Sequence, residues 1–412
     1  MGTNDAALSR AELERGLETV PAYARWRALD PGPAAEVDAR YAALPATGRE
    51  MMAAAPRAFV PEGRDLDAAI ARGEVELVRT SGTTGPPATL AWSAPWWERS
   101  ERMGWPLNAV LAQAATGTHR EAVLASPRCV GPGLLDRPRT MAERTLGRLL
   151  FVNESPDVAL WTDGDVRRMC GELQAFAPAV LEADPAYLAA LVARAEALGL
   201  GLPAPPIVVY TYSLPSRVHL ARIGRALPTP WTSSYGSSET GTVFVRCESG
   251  SLHQNAASCR VDLAPFAGGT CRLLVTPFAH PWACFLKFDV GDLARVREGP
   301  CPCGHKAGLT LSRIEGRASD VTIRSGGSPV TVAELDDAIA ASTGSERIVS
   351  WRLDQDAAGD VRLRATATGS LDGRALTAAL RGTYGAATRI AVEEVAVLPP
   401  EPSGKYRLAA GA

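Results

Sequence analysis

The spacing of hydrophobic and polar residues changes along the chain, and each change predicts a different kind of structure. Over residues 1–70, apolar positions recur at helical spacing between prolines, which predicts a helical N-terminal region. Over residues 105–245, amphipathic stretches alternate with short apolar runs, which is typical of a layered α/β domain with parallel strands. Residues 243–315 carry short alternating runs between Gly and Pro, including one over 284–289, and predict a small antiparallel sheet or barrel.

A further change of pattern follows the sequence GRASD at residues 316–320. Two amphipathic helical stretches and several short strands come after it, and they predict a compact α+β unit of about 95 residues with its own core. We therefore predict an α/β protein with a large N-terminal domain over residues 1–316 and a small C-terminal domain over 317–412. The large domain would combine a layered α/β part with a small β-subdomain.

Composition and charge disfavour two classes of function. The 412 residues include 43 Lys and Arg against 45 Asp and Glu, so the formal net charge is −2 and no basic field for nucleic acid is expected. No apolar run approaches the roughly 18 to 20 residues that cross a bilayer. The first residues lack an apolar signal core, so we expect a cytoplasmic protein that binds neither nucleic acid nor membrane.

A predicted strand over residues 75–80 runs directly into a turn rich in Gly and hydroxyl residues. Bare backbone NH groups and the hydroxyls of Ser81, Thr83 and Thr84 form a nest suited to an anionic phosphate chain. The Walker pattern is absent, because no Gly-Lys-Ser/Thr follows. The alternative interpretation of this string is a polar loop without a ligand.

Three further segments place charged residues in short turns. Glu239 is a carboxylate among small hydroxyl residues, suited to hold Mg²⁺ while Ser237 or Ser238 donates to a phosphate oxygen. Asp292 is expected to end a strand beside a glycine, where it would accept both hydroxyls of a ribose, and Lys405 lies on a Gly-Ser turn. Each of these residues, considered alone, could equally be a structural residue in a polar turn that binds no ligand.

The order of these segments, with RIEGRASD between the last two, resembles the signature motifs of the adenylate-forming superfamily of acyl-CoA synthetases, peptide-synthetase adenylation domains and luciferases. The resemblance covers the chain from about residue 70. Within the superfamily the chain is most similar to the phenylacetate-CoA ligase branch, because CPCG stands shortly before GR and a Cys followed by a His comes soon after YGSSET.

The resemblance implies a site for ATP and Mg²⁺. The loop around the β- and γ-phosphates would be formed by Ser81, Gly82, Thr83, Thr84 and Gly85.

The same resemblance implies roles for residues of the YGSSET segment and beyond. Tyr235 and Gly236 would lie beside adenine, and Ser238 would contact the α-phosphate. Glu239 would be the magnesium ligand and Asp292 the ribose ligand.

The resemblance also implies a mobile C-terminal lid. Arg317 would lie at the domain junction, and Lys405 would reach into the site for adenylation. In this family the lid then rotates, withdraws its lysine and opens a channel for a second nucleophile, which is usually the CoA thiol. Relatives often dimerise, so a homodimer is the expectation by analogy.

A subset of the eight cysteines is spaced like metal ligands. Cys247 and His253 precede Cys301 and Cys303 by about fifty residues, and these two pairs could close a tetrahedral, structural Zn²⁺ site. Cys259 and His305 are competing ligands; the alternative is a set of unrelated buried thiols and a surface His. The branch resemblance, which includes Cys and His at similar places, favours zinc.

Departures from the family pattern affect the substrate. Residues 131–138 and 211–217 differ from the branch where relatives border the acyl pocket or adenine, and Tyr212 in place of Gly would narrow the pocket. The sequence thus predicts adenylation of a small, aromatic carboxylic acid followed by transfer to CoA. One alternative is another second step, in an amide synthetase or a diazotase that activates nitrite toward an arylamine. The other is a non-catalytic, zinc-stabilised nucleotide-binding protein.

Overall fold

The computed structural model describes residues 4–79, 89–130 and 137–411. Contacts group the chain into two compact units. The first consists of Met1–Ala109 and Ser234–Arg313, and the second of Val110–Ser233 and Ile314–Ala412. The boundary at residue 317 between a large and a small domain stays a prediction.

Several helices of the described residues begin at a side-chain cap. The helices are α1 (Ala6–Thr19), α2 (Val37–Ala43), α3 (Arg49–Ala54), α4 (Leu66–Ala71), α5 (Ala94–Gly104), α6 (Ala109–Ala114), α7 (Pro127–Val130), α8 (Asp163–Phe176), α9 (Pro185–Ala197), α10 (Arg217–Ala226), α11 (Val332–Ala340) and α12 (Gly373–Tyr384).

The strands of the described residues are short. They are β1 (Glu76–Arg79), β2 (Thr89–Trp92), β3 (Glu121–Leu124), β4 (Thr145–Leu146), β5 (Leu149–Phe151), β6 (Val180–Ala183), β7 (Ile207–Tyr210), β8 (Trp231–Ser237), β9 (Gly241–Arg246), β10 (Leu252–Gln254), β11 (Cys259–Pro265), β12 (Cys271–Pro277), β13 (Phe288–Val296), β14 (Thr310–Arg317), β15 (Thr322–Ile323), β16 (Pro329–Val330), β17 (Ile348–Gln355), β18 (Val361–Ala367), β19 (Ile390–Glu394) and β20 (Ala409–Ala410).

The first unit contains the N-terminal helices α1 to α4 and an antiparallel sheet, as the sequence predicts. Its strands lie in the order β11-β12-β13-β14-β10-β9-β8. Buried aromatic side chains fill the core against the N-terminal helices, with ring centroids of Phe59 and Phe285 at 5.3 Å and of Tyr23 and Trp26 at 4.6 Å. This packing gives the helical N-terminal region a fixed place in the unit.

The prediction of a strand over 284–289 is wrong for its first four residues. The strand β13 begins only at Phe288, because Lys287 has a positive φ of 49° and turns its side chain inward. The buried ammonium donates to the carbonyls of Tyr41 at 2.9 Å and Leu44 at 2.6 Å, at the C-terminal end of α2. A tertiary contact thus overrides the local alternation.

Asp292 does not end a strand, contrary to the sequence prediction. It lies inside β13, and Gly291 before it has a φ of 81°. The neighbouring β12 shifts register between Arg272 and Leu274, so the pairing continues across an irregularity. The glycine absorbs the bend, and the strand carries Asp292 in its interior.

The second unit contains the parallel sheet that the alternation of helices and strands predicts. Strands β5, β3, β6, β7 and β8 run parallel in that order, and β4 pairs antiparallel at the edge. Helices α8 and α9 cover one face, where Leu181, Leu188 and Leu191 lie in a large buried cluster. Side chains of β6 that alternate with Leu181 along the strand therefore point to the opposite face of the sheet.

The C-terminal part of the second unit is the predicted α+β unit. Strands lie in the order β19-β18-β17-β20, and α11 and α12 pack on them around Trp351, Leu363 and Leu376. The strand β20 was not predicted; it pairs parallel with β17 shortly after Lys405. Among the described residues, no helix has the length and apolar character needed to span a membrane.

Candidate active site

The carboxyl ends of the parallel strands in the second unit bring polar side chains to one edge of the sheet. Ser126 follows β3, Asn153 follows β5 and Asp184 follows β6, and each is 2% exposed or less. Ligands of open parallel sheets bind in the crevice outside this edge. This edge is therefore the expected position of a ligand-binding site.

A loop from the C-terminal residues lies on this edge and carries Lys405. Gly404 donates to the carbonyl of Glu401 at 2.7 Å, and Glu401 donates to the carbonyl of Lys405 at 2.8 Å, which closes a tight turn. The hydroxyl of Tyr187 lies 2.8 Å from the carbonyl oxygen of Gly404. The guanidinium of Arg128 donates to the carbonyl of Pro402 at 2.8 Å. These contacts fix the backbone beside Lys405.

The close approach of this loop requires a glycine at position 404. Its φ is 82°, and a Cβ atom there would lie 1.9 Å from Oγ and 2.6 Å from Cβ of Ser126. No side chain fits at such distances. Gly404 thus lets the loop sit directly on the carboxyl end of β3.

Asp184 is the buried charge next to Lys405. It is the N-cap of α9 and accepts from the NH of Ala186 at 2.9 Å. Burial raises the pKa of this carboxyl to about 6, although the positive charge of Lys405 lowers it. The partly buried lysine therefore lies near enough to this carboxyl for its charge to act on it.

Helix α10 anchors the C-terminal residues of the second unit. The hydroxyl of Ser216 and the NH of Arg217 each donate to the carboxylate of Asp336 at 2.5 Å. The buried guanidinium of Arg222 donates to the carbonyls of Arg347 at 3.1 Å and Ile348 at 3.3 Å. These contacts hold residues 314–412 against the helix.

In the first unit, Tyr235 and Asp292 lie together. The phenol of Tyr235 donates to Oδ2 of Asp292 at 2.7 Å. A Cβ atom at Gly236 would meet the carbonyl oxygen of Gly241 at 2.0 Å, so the strand must carry glycine beside the tyrosine. Residues far apart in sequence thus form one polar pair at the bend of β13.

The turn between β8 and β9 holds Ser238 and Glu239. Thr240 donates to the carbonyl of Ser237 at 3.0 Å, which closes the turn. Glu239 is 3% exposed, and its Oε1 lies 3.3 Å from a guanidinium nitrogen of Arg49 on α3. This oxygen has no hydrogen bond within the part of the chain that the structure describes. No motif or spacing in the sequence indicates Arg49 as the partner of Glu239.

Two further predicted positions are Arg317 and the phosphate loop. Arg317 ends β14 in the second unit, and just after it Asp320 accepts from Arg407 at 2.6 Å. The predicted phosphate loop, Ser81 to Gly85, lies outside the described residues.

A compact group of Cys and His side chains lies in the first unit. The ligand atoms of Cys247, His253, Cys301 and Cys303 all fall within 4.8 Å of one another. The sulfurs of Cys247 and Cys301 are 3.6 Å apart, and Sγ of Cys303 lies 3.2 Å from Nε2 of His253. On the other side of the imidazole, Nδ1 lies 3.2 Å from Oγ1 of Thr310.

Two alternative ligands do not belong to this group. The thiol of Cys259 is fully buried and donates to the carbonyl of Asn255 at 3.7 Å, and burial raises its pKa. His305 lies edge-on to His253, with ring centroids 4.8 Å apart. The structure therefore brings together the four residues that the sequence spacing selects.

Sequence reasoning missed Asp184, although a signal for it was present. An Asp before Pro185 at the end of an apolar run is a helix N-cap signature, and it marks the carboxyl end of β6. A parallel strand that ends in such a cap places the carboxylate at the ligand-binding edge. Arg49 and Ser126 carried no comparable signal.

Comparisons with known proteins bear on the fold. No protein-family model matches this sequence, and a comparison with curated proteins gave no match. Among solved structures, 2-hydroxyisobutyryl-CoA ligase in the postadenylation state with R3-HIB-AMP has a TM-score of 0.73 at 14% identity, over 99% of this chain and 88% of that chain. The same ligase in the thioesterification state has a TM-score of 0.56.

Two further structures are similar over most of this chain. The anthranilate CoA ligase AuaEII with anthranoyl-AMP has a TM-score of 0.57 at 14% identity, over 80% of this chain and 64% of that chain. The amide bond synthetase McbA from Marinactinospora thermotolerans has a TM-score of 0.53 at 14% identity, over 81% and 68%. Structural similarity at such low sequence identity shows a shared fold only. The chain has the fold of the adenylate-forming ligases, as its sequence motifs predict.

Proposed function

We propose that this chain is an ATP- and Mg²⁺-dependent enzyme that joins a small, aromatic carboxylic acid to AMP and passes the acyl group to a second nucleophile, by default the thiol of CoA. The observation that carries the proposal is the position of Lys405. A closed turn holds it at the carboxyl edge of a parallel sheet, beside the buried carboxylate of Asp184. Perturbed carboxyls beside a cation at such an edge cluster at functional sites.

The proposed first step joins two anions. A carboxylate oxygen of the acid forms a bond to the α-phosphorus of ATP, and the bond from that phosphorus to the bridging oxygen breaks. Pyrophosphate leaves with the electron pair, and the acyl adenylate remains. Negative charge grows on the non-bridging and leaving oxygens, and the ammonium of Lys405 is placed to neutralise it. No protein nucleophile is required.

Glu239 is the proposed magnesium ligand. Its buried Oε1 has an ion pair to Arg49 but no hydrogen bond within the described residues, so this oxygen fits a hard cation that prefers carboxylate ligands. Mg²⁺ bound there would supply positive charge to the phosphates. Ser238, next to Glu239 in the same turn, is the proposed phosphate donor.

In the proposed second step a nucleophile attacks the acyl carbonyl and AMP leaves. A thiol gives a thioester and an amine gives an amide; the likeness to the amide bond synthetase McbA supports keeping the amine as the second candidate. Residues 317–412 are proposed as the lid that carries Lys405 into the site and withdraws it between steps, with Arg317 at the junction. The proposed use of ATP and CoA supports a cytoplasmic location.

Product analysis tests the proposal. The purified chain is incubated with Mg²⁺-ATP and a panel of aryl acids, amino-aryl acids and nitrite, with and without CoA, and AMP, pyrophosphate and acyl products are quantified. We expect AMP release that requires an acid, and a thioester when CoA is added. AMP release that requires nitrite or an amine and does not depend on CoA would contradict the transfer to CoA. ATP cleavage that does not depend on an acid would contradict the proposed adenylation of a carboxylic acid.

The Tyr235–Asp292 pair gives a prediction about ATP binding. In the proposed site Asp292 holds the ribose, and the phenol orients its carboxylate through the 2.7 Å hydrogen bond. Tyr235→Phe removes a hydrogen bond to a charged group, worth about 1.5–3 kcal/mol. We expect ATP to bind about tenfold more weakly, measured by calorimetry. Tyr384→Phe is the matched control, because its hydroxyl bonds to Thr322 in another part of the fold; equal effects from both variants would contradict the role.

Cys247, His253, Cys301 and Cys303 are the proposed ligands of one structural Zn²⁺. A tetrahedral site with Zn–S bonds of about 2.3 Å has S···S edges of about 3.8 Å, close to the 3.6 Å between Cys247 and Cys301. Thr310 beside Nδ1 of His253 leaves Nε2 to face the metal. All four positions are filled by protein, so the ion would hold β9, β10 and the β13–β14 turn together and take no part in catalysis.

Metal analysis tests this site without any activity assay. We expect about one Zn²⁺ per chain in the purified protein by mass spectrometry of the metal. Cys247→Ser is expected to lose the zinc and to lower the melting temperature by several degrees, because ligand binding is coupled to folding. Cys271→Ser, a cysteine outside the group, should keep its zinc. Full zinc in the Cys247→Ser protein would rule out this ligand set.

A further inference from the structure

Glu182 is a carboxylate whose direct neighbours on the adjacent strands of the parallel sheet are apolar. It lies opposite Val123 of β3 and Val209 of β7 in the strand register, so these side chains share its face. Val123 belongs to a buried apolar cluster with Ala125 and Phe151, on the face away from α8 and α9. A carboxylate there costs free energy unless a partner compensates its charge or its hydrogen bonds.

Tyr212 is the neighbour that reaches this carboxylate. Its hydroxyl donates to Oε2 of Glu182 at 3.3 Å, and its ring packs on the same apolar cluster. The residue has a φ of 70°, a conformation that costs a non-glycine residue about 1–2 kcal/mol. Strain of this kind persists where the surroundings enforce it and is concentrated at ligand sites.

Among the described residues, no positively charged side chain neutralises Glu182. Burial raises the pKa of this carboxyl to about 7, and the negative charge of Glu121 on β3 adds to the rise. Glu121 has its own partners, His119 at 2.6 Å and Arg148 at 3.2 Å. Within the described part of the chain, no Lys, Arg or His pairs with Glu182. A carboxylate accepts several hydrogen bonds, and Tyr212 supplies one of them.

Glu182 lies two residues before Asp184, the neighbour of the proposed catalytic lysine. The strand β6 ends at Ala183, but the backbone of Asp184 is still extended, so the Cα atoms of Glu182 and Asp184 are about 6.6 Å apart. An acid whose carboxylate meets Lys405 would therefore extend its far end along β6 toward Glu182. That separation is comparable to the span of one aromatic ring with its substituent.

We infer that Glu182, supported by Tyr212, binds an amino group at the far end of the acid substrate, so that the enzyme selects amino-substituted aryl acids. An amino group fits because it brings two N–H donors to a carboxylate that accepts one hydrogen bond, from Tyr212, within the described residues. A methyl group would add no donor to that carboxylate. Sites built on such buried acceptors reject analogues that lack the donor. This inference rests on the proposed function and narrows its substrate class.

Paired substrates test the inference in the full-length protein. We expect the kcat/KM for acid-dependent AMP formation to be at least about 10²-fold higher with 3- or 4-aminobenzoate than with the methyl isosteres or benzoate. Glu182→Gln should reduce this preference to less than about tenfold, and Glu182→Met should favour the methyl isostere. Glu36→Gln, an exposed carboxylate on the first unit, should leave the preference unchanged.

The outcomes separate this inference from the proposed function. Equal kcat/KM for aminobenzoates, methylbenzoates and benzoate in the wild type, or a preference for 4-hydroxybenzoate over both aminobenzoates, would overturn the inference and leave adenylation standing. AMP release with no acid at all would overturn the proposed function. Calorimetry that compares the binding of 4-aminobenzoate with that of 4-methylbenzoate tests recognition of the amino group without catalysis. Glu182→Gln keeps the shape of the side chain and therefore tests the inference even if Glu182→Met fails to fold.

Discussion

Lys405→Ala is expected to lower acid-dependent AMP formation by about 10²- to 10³-fold, the usual cost of removing one preorganised group that stabilises transition-state charge. ATP affinity should change by less than about threefold, because the ammonium meets charge that develops only as the α-phosphate is attacked. The comparison uses kcat from product analysis and the Kd for ATP from calorimetry. A large fall in kcat with a constant Kd is the signature of a group that acts in the transition state.

Lys306→Ala is the matched control for this variant. Lys306 is exposed and belongs to the first unit, whereas the turn that carries Lys405 belongs to the second. Its replacement should leave both kcat and ATP affinity unchanged. If Lys405→Ala retained full activity, the catalytic role would be wrong, and a non-catalytic nucleotide-binding protein would become the better account.

Gly404→Ala is expected to have the second largest effect, about 10²-fold on kcat, although it touches no charged group. The added Cβ would lie 1.9 Å from Oγ of Ser126, so the turn must move off the sheet edge and displace Lys405. A misplacement of about 1 Å is enough for a loss of this size. The readout is again acid-dependent AMP formation, with far-UV circular dichroism to confirm the fold.

Two companion variants identify the cause. Gly382→Ala adds the same methyl group inside α12, where nothing lies within 4 Å, and should leave activity intact. Combining Gly404→Ala with Ser126→Gly removes the clashing atoms and leaves the new Cβ at an ordinary 3.5 Å from the carbonyl oxygen of Pro156. The strain of alanine at a φ of 82° remains, so this double variant should regain part of the activity; a double variant as inactive as Gly404→Ala would contradict the steric explanation.

Elements with strong local signals could be predicted from the sequence. Helix α8 carries such a signal, because Thr162 and Asp165 form a capping box before a regular apolar stripe. The parallel strands β6 and β7 follow from short apolar runs between helices. The Cys/His group could also be located, since its spacing implies two hairpin turns that the small sheet brings together.

Features that depend on distant residues could not be predicted. The extended pattern at residues 284–287 does not form a strand, because Lys287 finds carbonyls on α2 far away in the sequence. The ion pair between Glu239 and Arg49 and the contact of Gly404 with Ser126 are likewise set by packing across the fold. The identity of a single residue in a turn does not indicate which distant side chain it contacts. The contacts of the candidate site residues could therefore be identified only from the structure.

The most direct test of the central claim is isotope exchange between labelled pyrophosphate and ATP, with and without an aryl acid. Exchange requires reversible formation of an acyl adenylate and is independent of the second nucleophile. We expect exchange that depends on the acid, requires Mg²⁺ and is lost in the Lys405→Ala protein. Release of ADP and phosphate in place of exchange, or exchange that persists without Lys405, would contradict the account.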